Sequence, residues 1–206
     1  MVGGSGNEDT ASGFGQGMAQ LALANAAYVA TAYVVTTATA RVLGPEEFGS
    51  FGVVMAWITI LTALLVKGLS TSITREMAAG AVDPATAWRA GRSLGIRMSI
   101  ALAVIGALLS PLAASLFGDS AHARWLAVGA LGALTFGTNA VLLAWPTGRR
   151  DYARQSLAQV AYAVARLVLV VGGAYAFGIA GAVVGYVLAP LLSSLSILAR
   201  VPAAAA

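Results

Sequence analysis

The stretch Arg41–Arg75, RVLGPEEFGSFGVVMAWITILTALLVKGLSTSITR, decides the fold. It places a polar turn, Gly44-Pro45-Glu46-Glu47, between two long apolar segments. Proline suits the first turn of a helix, where an N–H would have no intrahelical partner anyway. Glu46 and Glu47 fall in that same turn, where the helix dipole favours negative charge. The apolar run from Phe51 to Val66 then ends in Lys67-Gly68-Leu69-Ser70-Thr71 and the charges Arg75 and Glu76. The pattern predicts a hydrophobic hairpin that turns at Gly44–Glu47 and whose second arm exits into basic residues.

Outward from this hairpin the chain is equally apolar. Of 206 residues, 59% are hydrophobic and only 10% charged, with a mean hydropathy of +0.83. A soluble domain carries roughly 25% charged residues, so this composition points to a membrane protein. Cysteine is absent, which excludes disulfides and thiolate metal sites. The net charge of +4 is no nucleic-acid signal, because the basic residues cluster in loops that flank apolar segments. No enzyme constellation is visible and no cofactor or metal is expected. The single histidine, His122, lies in a turn beside Arg124, and no G-x-x-x-x-G-K-[ST] phosphate loop is present.

A span needs about 20 apolar residues, and six segments qualify. Residues 1–17 are Gly/Ser-rich and polar and read as a disordered tail. The bundle then occupies 18–199: spans at Met18–Val42, Phe51–Ile73, Leu94–Phe117, Trp125–Trp145, Leu157–Phe177 and Ile179–Leu198. Trp125 and Trp145 stand about 30 Å apart on a helix, which matches the hydrocarbon thickness and suggests interfacial anchors. Arg75–Arg92 reads as a loop in which Asp83-Pro84 starts a short amphipathic piece carrying Trp88 at headgroup level. Gly172-Gly173 reads as a helix-packing surface rather than a phosphate loop. Residues 200–206 read as a truncated linker to a missing second bundle.

Orientation follows from the basic residues. Nine of the twelve, Lys67, Arg75, Arg89, Arg92, Arg97, Arg149, Arg150, Arg154 and Arg200, lie at one set of loops and span ends. Only Arg41 and Arg124 lie at the other, and Arg166 is inside a span. Both termini are therefore expected in the cytoplasm.

Polar residues within spans are the candidate binding groups. Gln155, Gln159, Tyr162 and Arg166 recur at spacings of four, three and four, which puts them on one helix face. A cation at mid-span costs about 2.5–3.5 kcal/mol on insertion scales, so it faces a cavity or a partner. Arg166 reads either as a substrate contact or as a structural residue bonded to helix ends. Lys67 is deep enough to face a vestibule and close enough to the span end to snorkel. Asn25 and Tyr28 in the first span offer hydrogen bonds to a polar lumen or serve in packing.

The opening stretch also resembles the second-helix signature of oligosaccharide flippases, the polysaccharide-exporter branch of the MATE-like exporter superfamily. The matching residues are Arg41, Leu43-Gly44-Pro45-Glu46-Glu47-Phe48-Gly49, Gly68-Leu69-Ser70-Thr71 and Arg75-Glu76. Gly148-Arg149-Arg150 with Arg154 is similar to the family's fourth loop. Lys67 departs from the small or acidic residue often found there. The resemblance covers about the first half of a typical member. It implies an all-α polytopic fold, one six-helix bundle of a MATE-like exporter, that moves a polyprenyl-pyrophosphate-linked glycan across the cytoplasmic membrane. Two bundles form the cavity in such proteins, so it also implies a partner: a second six-helix half or a homodimer. A drug/cation antiporter of the same superfamily and a non-transporting scaffold for glycan assembly are the alternatives. The antiporter ranks lower, because no carboxylate lies deep in any span.

Overall fold

The computed structural model describes residues 5–79, 83–117 and 122–199, and these are helical almost throughout. Helix α1 is Ser5–Ala63, and a π-helical segment, Leu64–Leu69, carries it into α2, Ser70–Ala79. Helix α3 is Pro84–Leu116 and α4 is Ala123–Gly148. Helix α5, Tyr152–Arg166, continues through a second π-helical segment, Leu167–Val171, into α6, Gly172–Leu198.

Four stretches are long and apolar enough to cross a membrane: Gly17–Ala63, Ala85–Leu116, Ala123–Gly148 and Tyr152–Leu198. The first and last hold 47 residues each. A straight helix of that length would run about 70 Å, more than twice the hydrocarbon core. Both are broken. Gly44, at φ 73° and ψ 175°, interrupts α1. Phe177 and Gly178, at φ −138° and φ 58°, interrupt α6. Positive φ is readily adopted only by glycine, which is why the turn in the opening stretch falls at Gly44 rather than at Pro45.

Each break folds the chain back on itself. Val35 and Thr36 share a pocket with Phe51 and Met55, whereas a straight helix would hold Val35 and Met55 about 30 Å apart. Gly173 packs on the backbone of Gly181, and Gly185 packs on the carbonyl of Leu169. The two turns meet. The Glu47 carboxylate lies beside Gly178, 3.4 Å from where a side chain there would begin. The sequence reading of six separate spans thus meets four continuous helical stretches, two of them reversed at a glycine with no intervening loop.

The core is built from small and branched apolar side chains. Val54, Ile58, Leu126, Val170, Ala182 and Val183 are fully buried where α1, α4 and the π-segment–α6 hairpin converge. Glycines of α4 admit their neighbours closely: Gly129 faces Val54, Gly132 faces Ile58, and Gly137 faces Ser99 and Leu65. Side chains of this size let membrane helices approach. Many large apolar residues also turn outward, Leu108, Leu116 and Tyr175 among them, as a bilayer solvent permits.

Three local readings are corrected. Helix α1 begins at Ser5, so residues 5–17, read above as a disordered polar tail, lead into the first span as helix. Extending a helix costs far less than nucleating one. Arg75–Arg92 is mostly helix: α2 runs to Ala79 and α3 starts at Pro84, with Asp83 accepting hydrogen bonds from the Thr86 amide and hydroxyl, both 3.0 Å. The cap was legible, but the short amphipathic piece is simply the start of α3. Finally, Trp88 and Trp145 are not interfacial anchors. Both are buried, their ring centroids 5.6 Å apart. Mutual burial of two large aromatic faces outweighs an interfacial position. Trp125 stays half-buried with the Arg124 guanidinium 4.7 Å over its ring. Residues 200–206 and much of the turn before Arg124 lie outside the described residues.

Candidate functional site

A cavity of ≈ 740 Å³ opens between the hairpins. Its first wall is one face of the arm that follows Gly44: Thr59, Thr62, Ala63, Val66, Lys67, Ser70, Thr71, Thr74 and Arg75. Thr59, Ala63, Lys67, Thr71 and Arg75 recur every four residues. On an α-helix such a row drifts about 40° per turn. The π-helical segment Leu64–Leu69 lies in the middle of the row, and its wider turn takes up the drift. The irregular hydrogen bonding therefore keeps Lys67 and Arg75 on one face.

The hydroxyls on this wall are oriented by their own backbone. Thr59 donates to Met55 O at 2.8 Å, Thr62 to Ile58 O at 2.8 Å and Thr74 to Ser70 O at 2.9 Å. With the hydrogen committed, each oxygen keeps lone pairs for donors in the cavity. The wall offers acceptors and two cations, and no carboxylate is among the described residues that line the cavity.

The opposite wall comes from α5: Gln155, Ala158, Gln159 and Tyr162. Gln159 Nε2 donates to Asn25 Oδ1 at 3.2 Å, which ties α5 to the first arm of α1. Its Oε1 is buried with no hydrogen-bond partner in the protein. Tyr162 stacks on Tyr28 with centroids 5.9 Å apart and meets Phe136 edge-on at 6.1 Å. Phe136 in turn lies 5.2 Å from Tyr186. These rings close one end. Asn139, also on the lining, is occupied: it donates to Pro190 O and to Ser194 Oγ, both at 3.1 Å.

Of the residues singled out in the sequence, Tyr28, Lys67, Gln155, Gln159 and Tyr162 line the cavity. Asn25 does not line it but holds Gln159. Arg166 is buried elsewhere. It lines a separate pocket of ≈ 230 Å³ with Val35, Thr36, Phe48, Phe51, Gly52, Met55 and Tyr186. Its guanidinium lies 5.9 Å over the Tyr28 ring and in polar contact with Tyr162. The stripe predicted on α5 is thus split by Tyr162, with three residues facing the large cavity and the fourth beyond it. Thr59, Thr71 and Arg75 were missed, although their four-residue spacing with Lys67 was there to be read, and Thr62 was missed as well. Phe136, Asn139 and Tyr186 carried no signal, because their meeting depends on helix packing. His122 Nε2 pairs with Ser50 Oγ at 2.8 Å. Among the described residues no cluster of His, Cys, Asp and Glu could hold a metal ion.

The family model for polysaccharide biosynthesis proteins matches residues 14–202. This chain belongs to that family. Its fold recurs in solved transporters of the MOP superfamily. One is a transporter from Pyrococcus furiosus, where reverse polarity of the binding pocket suggests a different function; it matches with a TM-score of 0.71 at 20% identity. Another is a multidrug resistance MATE family transporter in an outward-facing conformation, with a TM-score of 0.71 at 21% identity. Each match covers 88% of this chain and 43% of the other, so the family member spans less than half the length of these transporters. No curated protein sequence matches it significantly. Family and apolar helices make it a multi-pass membrane protein of the polysaccharide biosynthesis family, and the MATE-like resemblance read in Arg41–Arg75 is matched at the level of family and fold.

Proposed function

We propose that this chain is one six-crossing bundle of a flippase for lipid-linked oligosaccharides, working with a second bundle. The carrying observation is the cavity wall that pairs Lys67 and Arg75 with acceptor hydroxyls and presents no carboxylate. Ammonium and guanidinium groups suit a pyrophosphate, since charge-assisted hydrogen bonds are the strong ones. The hydroxyl lone pairs on the cavity wall suit donating sugar hydroxyls. Tyr28 and Tyr162, stacked on each other, close one end of the cavity with aromatic surface. A cation antiporter would need an acidic lumen, which this wall does not supply. In this reading the reversals at Gly44 and Gly178 each divide one long helical stretch, so that four stretches give six crossings. The test is binding. The purified chain should retain a fluorescent polyprenyl-pyrophosphate sugar in preference to the same sugar on a neutral polyprenol, and equal retention of the two would refute the reading.

The proposed orientation puts the Lys67–Arg75 end and both termini in the cytoplasm, and the Gly44 and Gly178 turns outside. Glu46→Cys in this cysteine-free chain should react with an impermeant maleimide in intact cells, and Arg150→Cys only after lysis. The opposite pattern would invert the topology.

A further inference from the structure

Arg166 sits 93% out of solvent by exposure of 7%, and its Nε has no hydrogen-bond partner in the protein. The pocket it lines is distinct from the large cavity, with Tyr186 as the shared wall. The remaining lining is apolar or already committed. Phe48, Phe51, Val35 and Met55 supply hydrocarbon, and the Thr36 hydroxyl donates to Ala32 O at 2.9 Å. No carboxylate is among the described residues that line this pocket. The Tyr28 ring face and the Tyr162 side chain temper the positive charge without cancelling it. An uncompensated cation at membrane depth is costly, and a counter-charge in the adjoining space relieves it.

We infer that this pocket binds a small monovalent inorganic anion of the halide class, held by the Arg166 guanidinium between the folded arms of α1 and Tyr186. One cation matches one negative charge. A phosphate dianion would leave a second charge buried among phenylalanines, with few donors to meet its oxygens. The volume of ≈ 230 Å³ admits a halide with a few waters, at about 30 Å³ of liquid volume per water. Gly52 lines the same space, and a side chain added there meets nothing within 4 Å. The pocket therefore has room that a substitution can fill without disturbing the backbone. The site goes beyond the glycan-lipid reading and stands without it, since neither its residues nor its test involves a lipid.

Thermal unfolding of the purified full chain, in sodium chloride or bromide against sodium gluconate at equal ionic strength, reads the site directly. Ligand bound only by the folded state raises Tm with concentration, here by roughly 3 °C or more at saturation. Arg166→Gln should abolish the halide response. Gly52→Leu should abolish it too, with the guanidinium still in place. Arg97→Gln, an exposed cation on α3, should keep it. Should Arg166→Gln fail to fold, Gly52→Leu alone decides. The inference is overturned by equal Tm values in chloride and gluconate, by a response to inorganic phosphate but not to halide, or by a halide response that survives in folded Gly52→Leu.

Discussion

Replacing Gly181 by valine is expected to remove most folded protein from the membrane. A Cβ on Gly181 would land on the carbonyl carbon and oxygen of Gly173. The reverse substitution strikes the Gly181 carbonyl, and a side chain on Gly185 strikes that of Leu169. The obstacle in each case is backbone, which no change of rotamer moves aside. The two arms of the α6 hairpin would have to separate. Separation would strip contacts from Ala174, Ala182 and Tyr186, all buried in the central cluster. Overpacking costs typically about 1–3 kcal/mol and more when nothing can yield, which is a large share of the total stability of a small bundle. Gly172 is the matched control. It neighbours Gly173, but a side chain there meets nothing within 4 Å. Membrane abundance and thermal unfolding of Gly181→Val and Gly172→Val should diverge sharply. If both variants accumulate equally, the close backbone approach does not hold the hairpin together.

The same pair of glycines shows where sequence stops being legible. Gly172-Gly173 reads as a packing surface, but only the fold reveals that Gly173 bears the contact while Gly172 faces outward. Positions that rest on local chemistry were readable. Gly44 before Pro45 marks a reversal because the backbone needs positive φ there, and Asp83 before Pro84 marks a cap because its carboxylate reaches the Thr86 amide. Apolar length set the broad class in the same local way. What failed depended on partners from distant segments. Trp145 has the spacing of an interfacial anchor, yet Trp88 comes from another helix to bury it. Arg166 continues the polar face of α5 by sequence, but the aromatic cluster around Tyr162 separates it from the cavity that Gln155 and Gln159 line. The π-helical segments were also hidden, since a few shifted hydrogen bonds leave no compositional mark. Their effect was nonetheless written in the row from Thr59 to Arg75, whose four-residue period suits no plain α-helix.

Reversing the two cations of that row, Lys67→Glu with Arg75→Glu, is expected to abolish binding of a polyprenyl-pyrophosphate sugar while leaving the bundle folded. Both side chains are exposed to the cavity, so neither substitution buries a charge or opens the core. Each charge-assisted hydrogen bond contributes about 1.5–3 kcal/mol, and two lost together amount to a factor of 100 or more at about 1.4 kcal/mol per tenfold. Repulsion between the new carboxylates and a pyrophosphate adds to the loss. Single neutral substitutions, Lys67→Gln or Arg75→Gln, should each weaken binding by roughly tenfold and flatten its dependence on salt, because fewer charges remain to be screened. Equilibrium binding of the fluorescent lipid across a salt series, with thermal unfolding as the check on folding, measures all three variants. The same lipid on a neutral polyprenol should bind all of them alike. A folded double-reversal protein that still prefers the pyrophosphate lipid would show that the anionic group is met elsewhere, and the cationic wall would then lose its role in substrate recognition.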